Sequence, residues 1–189
     1  MYDNVTDLIP TLSKALKNGF LEPLRTIAPL MGVYLSREKE IPDQTKMIGC
    51  FAQCLKHTPA FIPEVQGNIL QSFANFWELE DDDYNRNAAY CIAVMCSKSP
   101  KTLEPLYPNI IEALKKMMEI SEKQETKDNV VTAIMKMVMA SPEAMPINTY
   151  IQNIFPCLPF KGDKEENKSS MKFIVYCFQN RIIYPYFRI

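Results

Sequence analysis

The clearest pattern of apolar positions lies in the middle of the chain. Leu103, Leu106, Tyr107, Ile110, Ile111, Leu114, Met117 and Met118 recur at the i, i+3, i+4, i+7, i+8 spacing of one helix face. The polar run Ser121-Glu122-Lys123-Gln124-Glu125 then predicts a turn. A second helix follows, with Val130, Ala133, Ile134, Met137 and Val138 on one face and Val131, Met135 and Met139 beside it. An apolar surface this wide is expected of a helix packed on both sides by neighbours.

The same helix–turn–helix pattern comes before and after. Over about 61–100, the first helix carries Val65, Ile69, Leu70, Phe73, Phe76 and Trp77, and the second Ala88, Ala89, Ile92, Ala93, Met95 and Cys96. Over about 20–59, Leu24, Ile27, Leu30, Met31 and Tyr34 precede Met47, Ile48, Cys50, Phe51, Cys54 and Leu55. Over about 147–180, Ile151, Ile154 and Phe155 precede Met171, Phe173, Ile174, Tyr176, Cys177 and Phe178. Residues 4–17, with Val5, Leu8, Ile9, Leu12 and Leu16, predict a single helix, the second helix of an incomplete unit. Residues 181–189 read as the start of another first helix.

Proline marks the period. Thr58-Pro59, Ser99-Pro100 and Ser141-Pro142 close three units at intervals of 41 and 42 residues. Pro23, Pro63, Pro105 and Pro146 run in step, at intervals of 40, 42 and 41. A period near 40 with two helices per unit is the signature of HEAT or armadillo-type solenoids. The expected fold is therefore all-α, a superhelical HEAT-repeat stack of antiparallel helix pairs. Its units are expected at about 19–60, 61–101, 102–145 and 146–180, with partial units at 1–18 and 181–189. Neither end is polar in the manner of a capping repeat, so further units or other chains are expected to cover both.

Composition narrows the function. The chain is 47% hydrophobic over 189 residues, which favours a packed core over disorder. Its formal net charge of −1 gives no overall drive towards nucleic acid. No apolar stretch approaches the roughly 20 residues of a membrane span. The six cysteines show no disulfide framework and no signal-peptide pattern precedes them, which suits a reducing compartment.

Several segments resemble the importin-β (karyopherin-β) family of nuclear transport receptors, near its C-terminal repeats. They are Asp128-Asn129-Val130-Val131-Thr132-Ala133-Ile134 running on to Ser141-Pro142, Leu158-Pro159-Phe160-Lys161-Gly162-Asp163-Lys164-Glu165-Glu166, Arg86-Asn87-Ala88-Ala89-Tyr90, and Asp3-Asn4-Val5 through Lys14-Ala15-Leu16. The resemblance covers nearly the whole chain and keeps the order of its units. It departs at Gly162, where relatives often carry a charged residue, and at Thr45-Lys46, where the later units have Arg86-Asn87 and Asp128-Asn129. It implies a HEAT solenoid that binds protein cargo and FG nucleoporins. Location in cytoplasm, nucleus and nuclear pore, and release of cargo by the Ran GTPase, are implied with them. The main Ran contacts of the family lie in N-terminal repeats and are expected outside this chain. No cofactor, catalysis, membrane or direct nucleic-acid contact is implied.

Candidate binding residues follow from position in the unit. The turns between paired helices are acidic, with Glu38, Glu40 and Asp43 in the first, Glu78, Glu80, Asp81, Asp82 and Asp83 in the second, Glu122, Glu125 and Asp128 in the third, and Asp163, Glu165 and Glu166 in the fourth. Stacked along one edge, they offer a negative row to lysine-rich cargo such as a nuclear localisation signal, a histone or a ribosomal protein. Carboxylates also cap helix N-termini and solvate turns. Asn87 and Asn129 occupy equivalent positions 42 residues apart, and an asparagine ladder can hold a peptide backbone or fix one unit on the next. Phe73, Phe76 and Trp77 end a first helix, where a groove for a nucleoporin Phe ring or plain inter-repeat core is expected.

Two other readings remain open. One is a HEAT scaffold or adaptor outside transport. The other is a metal protein or enzyme built on Cys50, Cys54 and His57, which fall on one helix face. That spacing is not a zinc-finger pattern. His57, the single histidine, would have to serve any histidine-based catalytic arrangement, and neither a nucleophile elbow nor a phosphate loop is present.

Overall fold

The computed structural model describes residues 2–74 and 80–182, and the expectations placed on Phe76, Trp77, Glu78 and 183–189 lie outside them. Among the described residues the chain is helical, without a strand. The helices are α1 (Tyr2–Leu16), α2 (Leu21–Val33), α3 (Ile41–His57), α4 (Ile62–Ala74), α5 (Asp82–Lys98), the single turn α6 (Pro100–Leu103), α7 (Tyr107–Ile120), α8 (Gln124–Ala140), α9 (Ile147–Ile154) and α10 (Asn167–Gln179).

Two layers build the solenoid. Helices α1, α3, α5, α8 and α10 lie side by side, each packed on the next. Their inner faces are small and apolar: Ala88, Ala89, Cys91, Ala93 and Cys96 in α5 and Val130, Ala133, Met135 and Met137 in α8 are buried. Small side chains let neighbouring helices approach at the short end of the usual 8–10 Å. The second layer is α2, α4, α7 and α9, which bury Leu24, Ile69, Phe73, Tyr107, Leu114, Ile151 and Ile154 against the first. The stack is an all-α HEAT-type solenoid, as the period indicates.

The proline punctuation has a conformational cause. Thr58, Ser99 and Ser141 each end a helix at φ between −123° and −142° and ψ between 58° and 67°. Each still donates its backbone N–H to the carbonyl four residues back. The following proline disfavours the helical region for the residue before it, so the helix stops there in all three units. The hydroxyls then tie helices together, across units at Thr58 and within one unit at Ser141. Thr58 Oγ1 donates to the Lys17 carbonyl at 3.0 Å and lies 2.9 Å from Ser13 Oγ. Ser141 Oγ reaches Glu104 Oε1 at 2.7 Å.

The apolar stripe from Leu103 to Met118 folds as one face but not as one helix. The turn α6 and a short 3-10 segment, Glu104–Leu106, come first, and α7 starts at Tyr107. Pro105 and Pro108 lack the N–H that a continuous helix needs, and proline is accommodated without loss only in a first turn. At the two ends, apolar faces meet solvent: Val5, Leu8, Leu12 and Leu16 on α1 and Met171, Val175 and Phe178 on α10 are exposed.

Candidate functional site

The acidic edge divides into carboxylates that hold the fold and carboxylates that face water. Asp81 caps α5 by accepting the Tyr84 N–H at 2.8 Å. Asp82 Oδ2 accepts the N–H groups of Glu122 and Lys123 at 3.2 and 3.1 Å, in the turn of the next unit. Its own carbonyl accepts Thr126 Oγ1 at 3.0 Å. Glu80, Asp83 and Glu122 are exposed, while Glu125 is half-buried. Asp83 sits between Arg86 at 3.5 Å and Lys123 at 3.4 Å.

One unit further on, the same bridge is repeated by Asp128, which the sequence places with the acids of the turn edge. Asp128 is buried in α8, and its Oδ2 accepts the N–H groups of Gly162 and Asp163 at 2.8 and 3.0 Å. Gln124 Nε2 donates to its other oxygen at 2.8 Å. A carboxylate early in the inner helix thus caps the turn of the following unit twice. The signal in the sequence was an acid at Asp128 directly before the apolar run Val130–Ala133, where a solvated residue is not expected.

The two asparagines also link units. Asn87 Nδ2 donates to the Thr45 carbonyl on α3 at 3.1 Å. Asn129 Nδ2 donates to the Glu125 carbonyl and to Asp163 Oδ2, both at 2.9 Å. Asn87 is half-buried and Asn129 is buried. A peptide backbone seeking them would compete with these bonds.

Burial would raise the Asp82 carboxyl, but the Thr126 hydroxyl, the Lys123 and Glu122 amides and the Ser121 hydroxyl hold it below the usual aspartate range. The sign follows. A group with a depressed folded pKa adds stability that is present above its unfolded value, near about 3.9, and lost as pH falls through the folded one. Asp82→Asn should therefore flatten the acid limb of the stability curve below about pH 4. Urea unfolding at pH 3 and pH 6 measures it; an unchanged pH slope would show that Asp82 contributes nothing there.

Two grooves flank the row of inner helices. The first lies between α2 and α4, with a volume of about 720 Å³, and Ala28, Pro29, Gly32, Leu35, Phe61 and Val65 are among its apolar walls. Phe73 is fully buried beneath this layer and does not face solvent. The second groove, about 700 Å³, runs across α3, α5, α8 and α10 on the opposite layer and is lined by lysines, Asn87, Tyr90 and Asn129. The structure thus brings the two asparagines to one surface, which Glu80, Asp83 and Glu122 do not line.

The Cys50, Cys54 and His57 face does not assemble a ligand set. Cys50 and Cys54 are buried in the core while His57 is half-buried at the helix end. Among the described residues no three His, Cys, Asp or Glu side chains gather where they could hold a metal. Burial also raises the Cys91 and Cys96 thiols, which stay protonated packing groups.

No family model matches the chain. Probable importin subunit beta-4 of Schizosaccharomyces pombe is 21% identical over 168 residues, which covers 88% of this chain and 16% of that protein. Human importin-4 is 19% identical over 167 residues, again 88% of this chain and 15% of its own length. The chain thus spans about one sixth of these relatives. The resemblance read from the inner-helix segments and the helical stack agree with both matches, and the chain is similar to a segment of these importin-β-type receptors.

Proposed function

We propose that this chain is a non-catalytic part of a nuclear import receptor, which holds protein cargo and nucleoporins as the receptor passes between cytoplasm and nucleus. The match to two importins across 88% of the chain carries this reading. The solenoid supports it, because each unit rests only on its neighbours and leaves long surfaces free on both layers.

The parts have distinct chemistry. The exposed carboxylates Glu80, Asp83 and Glu122 stand on the turn edge, where a lysine-rich cargo segment meets negative charge. Asp81, Asp82, Asn87 and Asn129 support that edge through the bonds they make within and between units. The apolar groove between α2 and α4 is wide enough for the Phe ring of an FG repeat. Release by Ran belongs to the longer receptor.

Binding of a labelled lysine-rich localisation peptide and of an FG-repeat peptide to the purified chain tests the proposal, read by fluorescence anisotropy. Reversing the three exposed acids, Glu80→Lys with Asp83→Lys and Glu122→Lys, should weaken the lysine-rich peptide about tenfold and leave the FG peptide unchanged. Saturable binding of neither peptide would overturn the reading in favour of a scaffold outside transport.

A further inference from the structure

We propose that the groove across α3, α5, α8 and α10 is a binding site for an extended acidic peptide segment, held by lysines supplied from successive helices. The groove is not lined by Glu80, Asp83 or Glu122 and is opposite to them in charge, and the proposal does not depend on the transport reading.

The groove is more basic than the chain. The formal net charge is only −1, yet Lys56, Arg86, Lys98, Lys136, Lys168 and Lys172 line this one surface. Its three acids are Asp163, Glu165 and Glu166, and two of them are engaged. Asp163 accepts from Asn129 and from the Glu165 and Glu166 amides. Glu166 is paired with Lys136 at 3.5 Å and accepts Ser169 Oγ at 2.6 Å. By contrast, among the described residues no carboxylate lies within ion-pair distance of Lys56, Lys98, Lys168 or Lys172. Four cations without a carboxylate partner, gathered around one concavity, make a local positive field that an anionic ligand would relieve.

Tyr90 organises the centre. Lys56 Nζ donates to its hydroxyl at 3.0 Å and Gln53 Nε2 at 3.3 Å. The Lys56 and Lys136 ammonium groups lie 5.7 and 5.8 Å from its ring centroid. One aromatic ring thus has two like charges within cation–π reach. The field reaches neighbouring groups. Burial lowers His57, and Lys56, Lys14, Lys98 and Lys17 lower it further. Burial lowers Lys136, with Lys56 and Lys172 adding to the effect against Glu166.

The occupant follows from the mixture. A continuous phosphate backbone would meet Glu165 and the paired acids in the same groove, so nucleic acid fits poorly. A peptide places charge at intervals. Neighbouring helices are about 8–10 Å apart, and an extended chain advances about 3.3 Å per residue. Lysines on successive helices therefore match acidic side chains about every third residue, over roughly ten residues.

A fluorescein-labelled peptide of repeated Glu-Ser-Ser tests this on the full chain by anisotropy. Saturable binding that falls about tenfold in the Lys56→Glu, Lys172→Glu double variant is expected, as is weakening between 0.05 and 0.5 M salt. Both lysines are exposed, so the helical circular dichroism should not change; Lys98→Glu with Lys168→Glu is the second variant if it does. Absence of saturable binding, an affinity in both variants equal to that of the unchanged chain, or equal binding of a Lys-Ser-Ser peptide abolished by the same reversals would each overturn the proposal. So would a uridine decamer that binds more tightly and displaces the acidic peptide, which would make the groove a nucleic-acid site. The acid reversals that test the turn edge leave these lysines intact, so the two ideas fail separately.

Discussion

Replacing Asp128 by alanine is expected to cost about 3–4 kcal/mol, the larger end of what removing a buried, charge-assisted acceptor does. Three donors converge on this carboxylate: the Gly162 and Asp163 amides and Gln124 Nε2. Asp128 is 1% exposed, so water does not readily replace it. The apparent melting temperature should fall by roughly 6–16 °C for a chain of this size. Asp128→Asn should do little better. One carboxamide position presents N–H groups where donors already point, and both oxygens of Asp128 are in use. The matching variant Asp82→Ala should cost only about 1 kcal/mol, because that residue is less buried than Asp128 and its bonds to Glu122 and Lys123 are longer. Thermal unfolding followed by circular dichroism ranks the three. If Asp82→Ala and Asp128→Ala lowered stability equally, burial would not be what gives Asp128 its weight.

Which features the sequence discloses depends on how local their causes are. Helix faces, the HEAT period and the proline stops are set within one unit, by spacing along a helix and by the backbone limits of proline, and they are legible. The core of α5 and α8 is equally so, because a helix apolar on most sides has to be packed on most sides. The unit-to-unit bridge from Asp128 to Gly162 spans 34 residues and has no local signature beyond an acid beside an apolar run. Asn87 and Asn129 share a sequence position but not a partner: one meets the Thr45 carbonyl and the other the Asp163 carboxylate. A ladder of like residues is visible in the sequence, and the partner of each rung is not.

Charge was the harder pattern. The acids cluster in sequence at the turns, so the negative edge is legible. The lysines of the groove come from α3, α5, α8 and α10 and are scattered in sequence among acids that cancel them in the total. Only the stacking of helices gathers these lysines onto one surface. The broken start of α7 has a similar origin. Periodicity assigns Leu103 to Met118 to one face correctly, but the backbone is decided by Pro105 and Pro108, which periodicity ignores.

Gly162 shows the same unit-to-unit contact from the other side. Gly162→Ala is expected to cost about 2–3 kcal/mol, although its backbone φ is not in the left-handed region. The obstacle is space. A Cβ there would lie 2.6 Å from the Glu125 nitrogen and 2.8 Å from the Gln124 carbonyl carbon. These are backbone atoms at the start of α8, and they cannot swing aside as a side chain can. The turn would have to lift away from α8, which lengthens the bonds from Gly162 and Asp163 to Asp128. The two substitutions therefore act on one contact, and their costs should not add. A double variant, Gly162→Ala with Asp128→Ala, should be more stable than the sum of the singles predicts by about 1 kcal/mol or more, since a turn already released by alanine at 128 has room for the extra methyl. Hydrogen exchange at residues 160–166 locates the effect: protection should fall in this turn and hold in α5. Additive losses, or exchange spread evenly through the stack, would mean that Gly162 is needed for some reason other than its approach to α8.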